Sequence, residues 1–306
     1  MNEKNGGSKN DKKVDSYYCF NPKLVKTKKT NKPTKNLTKE QLNILQEQSP
    51  YTTISSSGTI GNTKKQMGTM QESSSDEITQ SNDVSTLATD NRRLISPTTN
   101  YPYNAIAQLE VQGDGGWYVC SGWFIDKNTV VTAAHCVYDT YTNTWKTGAF
   151  VNPARNGENT YPYGYSFSTD FTIWSGWVNA SPPDPDHTNY NDVQYDIAVI
   201  NLHESYNNWF NIRDTDHDEG EGLNSTGYPG DKGYYWMYSS LGTDLDTSND
   251  VITHNCYVTG GMSGGSVFNS KNGVLAAVGL NSTTVWSPEL TTSHKNALLD
   301  WANDNG

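Results

Sequence analysis

From Tyr103 onward the chain consists of short apolar runs, each broken off by residues that turn the backbone. "AIAQLEV" stops at "QGDGG", and "WYVCSGWFI" stops at "DKN" before "TVVTAA" begins. Runs this short, separated by Gly, Asp and Asn, suit strands joined by turns far better than amphipathic helices. The punctuation predicts an antiparallel β-protein. "YDIAVINL" and "GVLAAVGLN" are nearly continuous apolar runs, the pattern of strands buried on both faces. One helix is expected near the C-terminus, over "HKNALLDWAND", with Ser293 as its cap and Ala297, Leu298 and Trp301 sharing a face. Long polar stretches such as "NASPPDPDHTNYNDVQ" read as surface loops, where a β-scaffold builds its binding surfaces.

Ahead of this region the chemistry changes. Residues 1–93 carry 15 Lys/Arg and 10 Asp/Glu, whereas residues 94–306 carry 7 and 23, so a tail of +5 precedes a body of −16. The tail is rich in Ser, Thr, Asn and Lys and poor in apolar clusters, as a solvated segment would be. Residues 1–92 are read as a largely disordered tail or pro-segment with a single short helix around Leu42–Leu45, and residues 93–306 as the folded domain. The net charge of −11 argues against nucleic-acid binding, which needs a basic face. No run of eighteen apolar residues predicts a membrane span, and no apolar stretch of signal-peptide type follows the early lysines.

Four cysteines occur, at 19, 120, 136 and 256. The stretch between Cys120 and Cys136 folds back as a hairpin, so a disulfide there is geometrically reasonable; two buried free thiols are the alternative. Cys256 is expected as a small buried hydrophobe.

"TGGMSGGSVFN" sets Ser263 among four glycines. It reads either as a Gly-rich hairpin turn or as a nucleophile seat whose Gly261 and Ser263 N–H groups meet a developing oxyanion. A serine nucleophile needs a base, and the base needs a third group to orient it. Among six histidines, His135 follows a strand ending in "VVTAA" and immediately precedes Cys136, a position that fixes its ring. His187, His203, His217 and His294 read as solvated, and His254 as too near Ser263 in sequence. Asp196 heads "DIAVI", where the burial of its neighbours carries it inside. The order His135, Asp196, Ser263 is that of the chymotrypsin triad and differs from those of the α/β-hydrolases and subtilisin.

"TVVTAAHCVYD", "YDIAVINL", "STGYPGDK", "GGMSGGSVFN" and "DNRRLISPTTNYPYNAIAQL" together resemble the bacterial glutamyl endopeptidases of the chymotrypsin-like superfamily, over roughly residues 85–303. The resemblance implies an all-β fold of two six-stranded antiparallel β-barrels with a C-terminal helix, and a site in the cleft between the barrels. It also implies a secreted zymogen, cleaved by an activating protease and acting on protein or peptide substrates. His135, Asp196 and Ser263 match the family's triad, and Gly261 its oxyanion-hole glycine. A monomer is expected, with no cofactor and no catalytic metal. Two departures bear on specificity. Met262 replaces a polar residue before the nucleophile, and Val258 and Asn281 stand where the family has a threonine and a histidine in its glutamate pocket. Weak or absent preference for glutamate follows, because a buried carboxylate needs donors or positive charge. An inactive protease-like binding module and a serine esterase are the rival readings.

Overall fold

A computed structural model of the chain describes residues 52–55, 60–62, 89–113, 116–183, 187–214 and 219–303. The expected helix near Leu42, Cys19 and His217 lie outside the described residues.

The strands in chain order are β1 (Thr52–Ser55), β2 (Ile60–Asn62), β3 (Arg93–Leu94), β4 (Ile106–Gly113), β5 (Gly116–Phe124), β6 (Thr129–Thr132), β7 (Tyr138–Asp139), β8 (Thr144–Trp145) and β9 (Gly148–Pro153). They continue as β10 (Ser166–Ser168), β11 (Phe171–Trp174), β12 (Ala198–Asn201), β13 (Gly222–Gly227), β14 (Tyr238–Ser248), β15 (Val251–His254), β16 (Ser266–Lys271), β17 (Val274–Leu280) and β18 (Trp286–Pro288). All pairings between them are antiparallel.

Two curled sheets result. The first runs β10-β9-β4-β5-β6-β12-β11, and β10 and β11 are two halves of one bent stretch that pairs with β9 at one end and β12 at the other. The second runs β17-β16-β13-β14-β15-β18, and a bridge between Gly279 and Glu289 brings its outer strands together. Each sheet thus curls six strands toward closure, which removes most of the open edge that an isolated sheet would expose. The outer edge of β11 receives the β1–β2 hairpin from the N-terminal segment, with Thr53 opposite Trp174 and Ile54 opposite Ile173.

The cores differ in size. A large cluster rich in aromatic rings, including Trp123, Phe124, Phe171 and Trp174, fills the first sheet and continues into Phe210, Tyr228 and Phe268 of the second half. A small cluster of Leu223, Ile252, Cys256, Val258, Met262, Val267 and Val278 fills the rest of the second sheet. Cys256 is a buried free thiol, as its apolar setting predicts, and burial pushes its pKa up to about 12.

The C-terminal helix spans Thr292–Asn303 and buries Ala297, Leu298 and Trp301. Two sequence expectations need correction there. Thr291, not Ser293, precedes the first turn, and the His294 N–H reaches its hydroxyl at 3.4 Å. His294 is also fully buried rather than solvated: three residues before Ala297 and seven before Trp301, it lies on the same helix face. Its Nδ1 lies 2.7 Å from the Glu289 carbonyl, and its ring meets Trp174 edge-on.

Candidate active site

β6 and β12 pair with Thr132 opposite Ala198, so the residue three past Thr132 and the residue two before Ala198 emerge at the same end of the ladder. Those residues are His135 and Asp196. After Thr132 the chain tightens into a single 3₁₀ turn over Ala134–Cys136, and Asp196 closes another over Tyr190–Tyr195. Cys136 is joined to Cys120 of β5 in a disulfide, which anchors the residue next to His135.

Asp196 is fully buried, and three donors satisfy it. The His135 N–H reaches Oδ1 at 2.8 Å, the His135 ring reaches Oδ2 through Nδ1 at 2.7 Å, and the Ser282 hydroxyl donates to Oδ2 at 2.6 Å. A buried carboxylate without such donors would be heavily penalised. Because a carboxylate only accepts, Nδ1 carries a proton, and in the neutral ring Nε2 is then the acceptor. The His135 side chain is 30% exposed.

Ser263 comes from the second half. Its loop is pressed against the strand ends that carry His135: the Ser121 N–H of β5 donates to the Ser263 carbonyl at 2.7 Å, and the Cys136 sulfur lies 3.9 Å from the same oxygen. Gly264 packs so closely on the Ser121 carbonyl, the Thr132 hydroxyl and the Ala133 nitrogen that no Cβ fits, and its φ is +78°. Gly261 has φ +94°, and a Cβ there would stand 2.5 Å from the Tyr228 carbonyl. Both glycines are therefore required by backbone conformation and close approach alike. Neither the Gly261 N–H nor the Ser263 N–H finds an acceptor among the described residues, whereas Met262 between them donates to the Thr259 carbonyl.

Asn281 and Val258, expected to line the specificity pocket, are both engaged in the packing around the Ser263 loop. Asn281 is fully buried; its side chain accepts from the Ser225 hydroxyl at 2.7 Å and donates to the Met262 carbonyl at 3.1 Å. It braces the Ser263 loop through the Met262 carbonyl. Val258 is 8% exposed and belongs to the small core. Sequence reasoning missed Ser121 and Ser282. Ser121 uses its hydroxyl twice more, donating to the Gly261 carbonyl at 2.8 Å and accepting from the Tyr228 N–H at 2.9 Å. The one available signal was position: Ser121 follows Cys120, and Ser282 follows Asn281.

Among the other histidines, His254 is fully buried, with Nε2 3.0 Å from the Ser287 hydroxyl, and burial lowers its pKa to about 4. His187 and His203 are exposed, as expected. No three His, Cys, Asp or Glu side chains stand together as a metal-binding group among the described residues.

Comparison with known proteins agrees with this architecture. Residues 120–278 match the trypsin-like peptidase domain family. A Bacillus subtilis protein named "Extracellular metalloprotease" is 32% identical over 72% of this chain and 70% of its own length. A glutamyl endopeptidase of Bacillus licheniformis is 34% identical over 61% of this chain and 56% of its own length, so this chain matches little more than half of that relative. A solved Glu endopeptidase structure superposes with a TM-score of 0.58 at 24% identity, covering 70% of this chain and 96% of the other. The word metalloprotease in the first name finds no matching ligand set among the described residues. The chain belongs to the trypsin-like peptidase family and is a glutamyl endopeptidase-like serine endopeptidase.

Proposed function

We propose that the enzyme cleaves peptide bonds through an acyl-enzyme formed on Ser263, with His135 as general base and then general acid and Asp196 orienting it. In this reading His135 Nε2 takes the Oγ proton as Ser263 attacks the scissile carbonyl, and the N–H groups of Gly261 and Ser263 receive the oxyanion. The imidazolium then protonates the leaving amine, and water repeats the sequence on the ester. The observation that carries the reading is the buried Asp196 bonded twice to His135, beside a glycine loop whose two N–H groups lack acceptors. Fluorophosphonate labelling tests it: label should appear on the parent and vanish in Ser263→Ala, and a labelled Ser263→Ala protein would refute the assignment.

The residue accepted before the scissile bond is neutral or apolar. Val258 offers no donor, and the fully buried Asn281 amide carries no charge and spends one N–H on the Met262 carbonyl, so the two compensate a glutamate carboxylate poorly. Profiling cleavage in a mixed peptide library checks this, and a dominant glutamate signal would overturn it.

The chain acts outside the cell as a processed zymogen. Support comes from the extracellular label of the B. subtilis relative and from the hairpin at 52–62, which lies against β11 by strand addition. Processing falls upstream of Asp90, because Asp90–Leu94 is bonded into the second half of the fold and the Arg92 side chain is 1% exposed. Terminal sequencing of active protein should therefore find a start no later than Asp90; a start at Arg93 or Leu94 would refute this.

A further inference from the structure

Arg92 enters from the segment ahead of both sheets, yet its guanidinium is buried under the loop that leads to Ser263. Nε and Nη2 engage both oxygens of Asp90 at 2.9 Å each, and Nη1 and Nη2 engage both oxygens of Asp231 at 2.7 and 2.6 Å. Nη1 also donates to the Thr259 hydroxyl at 2.8 Å, and the guanidinium carbon stands 4.7 Å from the centre of the Tyr257 ring. The Thr259 hydroxyl in turn donates to Asp231 at 3.0 Å, and Lys232 lies 3.1 Å from Asp90. Two bidentate pairs and one hydroxyl use the planar fork in a way a point-charge ammonium cannot reproduce.

The neighbouring residue reaches the same loop through Ser240 of β14. The Asn91 side chain donates to the Leu241 carbonyl at 2.6 Å and accepts from the Ser240 hydroxyl at 2.7 Å, while that hydroxyl accepts from the Tyr257 N–H at 2.7 Å. The Gly230 N–H, next to Asp231, donates to the Gly260 carbonyl at 2.8 Å. Residues 91 and 92 thus hold Tyr257 and Thr259, one on either side of Val258. Without the guanidinium, Asp90, Asp231 and Thr259 would lose their shared donor, and only the Thr259–Asp231 and Gly230–Gly260 hydrogen bonds would still tie the turn to the loop.

We propose that Arg92 is a positioning residue for substrate specificity: it clamps the Tyr257–Gly260 wall against the Asp231 turn and so fixes the pocket for the side chain preceding the scissile bond. This rests on the reading that Val258 lines that pocket. It makes substrate selection depend on a segment that belongs to neither sheet's core.

The test compares Arg92→Ala, Arg92→Lys and Thr259→Val with the parent, each as active protein titrated with a fluorophosphonate. The substrates are peptide amides carrying the preferred residue before the scissile bond and a mixed peptide library. Arg92→Ala should raise KM at least tenfold and flatten the cleavage profile, while kcat and the rate of fluorophosphonate labelling stay within about threefold. Arg92→Lys should recover part of the loss, and Thr259→Val, which removes one contact from each partner, should shift KM about threefold in the same direction. A folded Arg92→Ala with parental KM and an unchanged profile would overturn the proposal. So would a folded variant that no longer labels, since the effect would then lie on the nucleophile. If Arg92→Ala does not fold, Thr259→Val decides, and parental behaviour there is equally fatal. Failure of the underlying serine-protease reading would look different, because the parent's label would then survive Ser263→Ala.

Discussion

The large aromatic core and the small aliphatic core of this protein stand in different relations to the site. In the first sheet the rings of Trp123 and Phe124 stand apart in sequence from His135 and Asp196, although Ala134, Cys136 and Ile197 beside those two belong to the same core. In the second sheet, Met262 and Val258 are core residues and members of the Ser263 loop at once. The first half can therefore lose a remote ring without touching the proposed site, whereas the second loses part of the Ser263 loop with its core. Where the proposed catalytic groups hang from strand ends, most of the packing lies apart from them; where the loop supplies the core, packing and loop are one property.

The comparison is broken most severely at Ser263. Ser263→Ala should lower turnover by about six powers of ten, with His135→Ala doing comparable harm and the two losses not adding. Retention of even a tenth of parental activity would remove the assignment. Next in size come the cores themselves. Phe124→Ala should cost about 3–5 kcal/mol while kcat/KM per folded molecule stays within about threefold. Met262→Ala should cost about 2–5 kcal/mol and lower kcat/KM at least tenfold, since both its neighbours in sequence carry the N–H groups proposed to receive the oxyanion. Equal kinetic effects in the two variants, after correction for the folded fraction, would erase the distinction.

Acid should reach the second sheet through His254 on β15. Burial lowers its pKa from the usual 6.5 to about 4, against the opposing pull of Asp244. Between those values the unfolded chain binds a proton that the native protein does not, so stability falls as pH falls, by roughly 3 kcal/mol once both limits are passed. Urea midpoints measured from pH 7 to pH 4 should decline less steeply in His254→Gln than in the parent. His294, also lowered by burial, adds a loss of the same sign. The smallest expected effect belongs to Ser282→Ala. Removing one hydrogen bond from the Asp196 carboxylate should cost about 1.5–3 kcal/mol, read as a lowered urea midpoint at pH 7. An unmoved midpoint would show that the His135 contacts alone hold the carboxylate.

Much of this was legible in the chain. The alternation of apolar runs and turns gave the antiparallel sheets, because strand burial leaves a period-two or continuous apolar signature. His135 and Asp196 were visible because each sits at the end of such a run, and Gly261 and Gly264 because crowding leaves no room for a side chain. Ser121, Ser282 and Arg92 were not visible. Each acts through one or two polar groups on partners up to 167 residues away, and nothing in a local pattern marks which serine or arginine meets them. His294 was misread because it adds a fourth position to a helix face already defined by Ala297, Leu298 and Trp301. A polar residue there reads as solvated until its carbonyl partner at Glu289 is seen.

Ser121 carries a last consequence. Through one N–H and one hydroxyl this β5 residue holds the Ser263 carbonyl, the Gly261 carbonyl and the Tyr228 N–H. A residue of one half thereby acts as a rivet through the other. The two halves cannot hinge apart to admit a substrate and then close on it without breaking that rivet, so the cleft is a ready-made mould. Peptide chains must conform to the enzyme, and those already extended should associate faster than those that must first unfold from a compact shape.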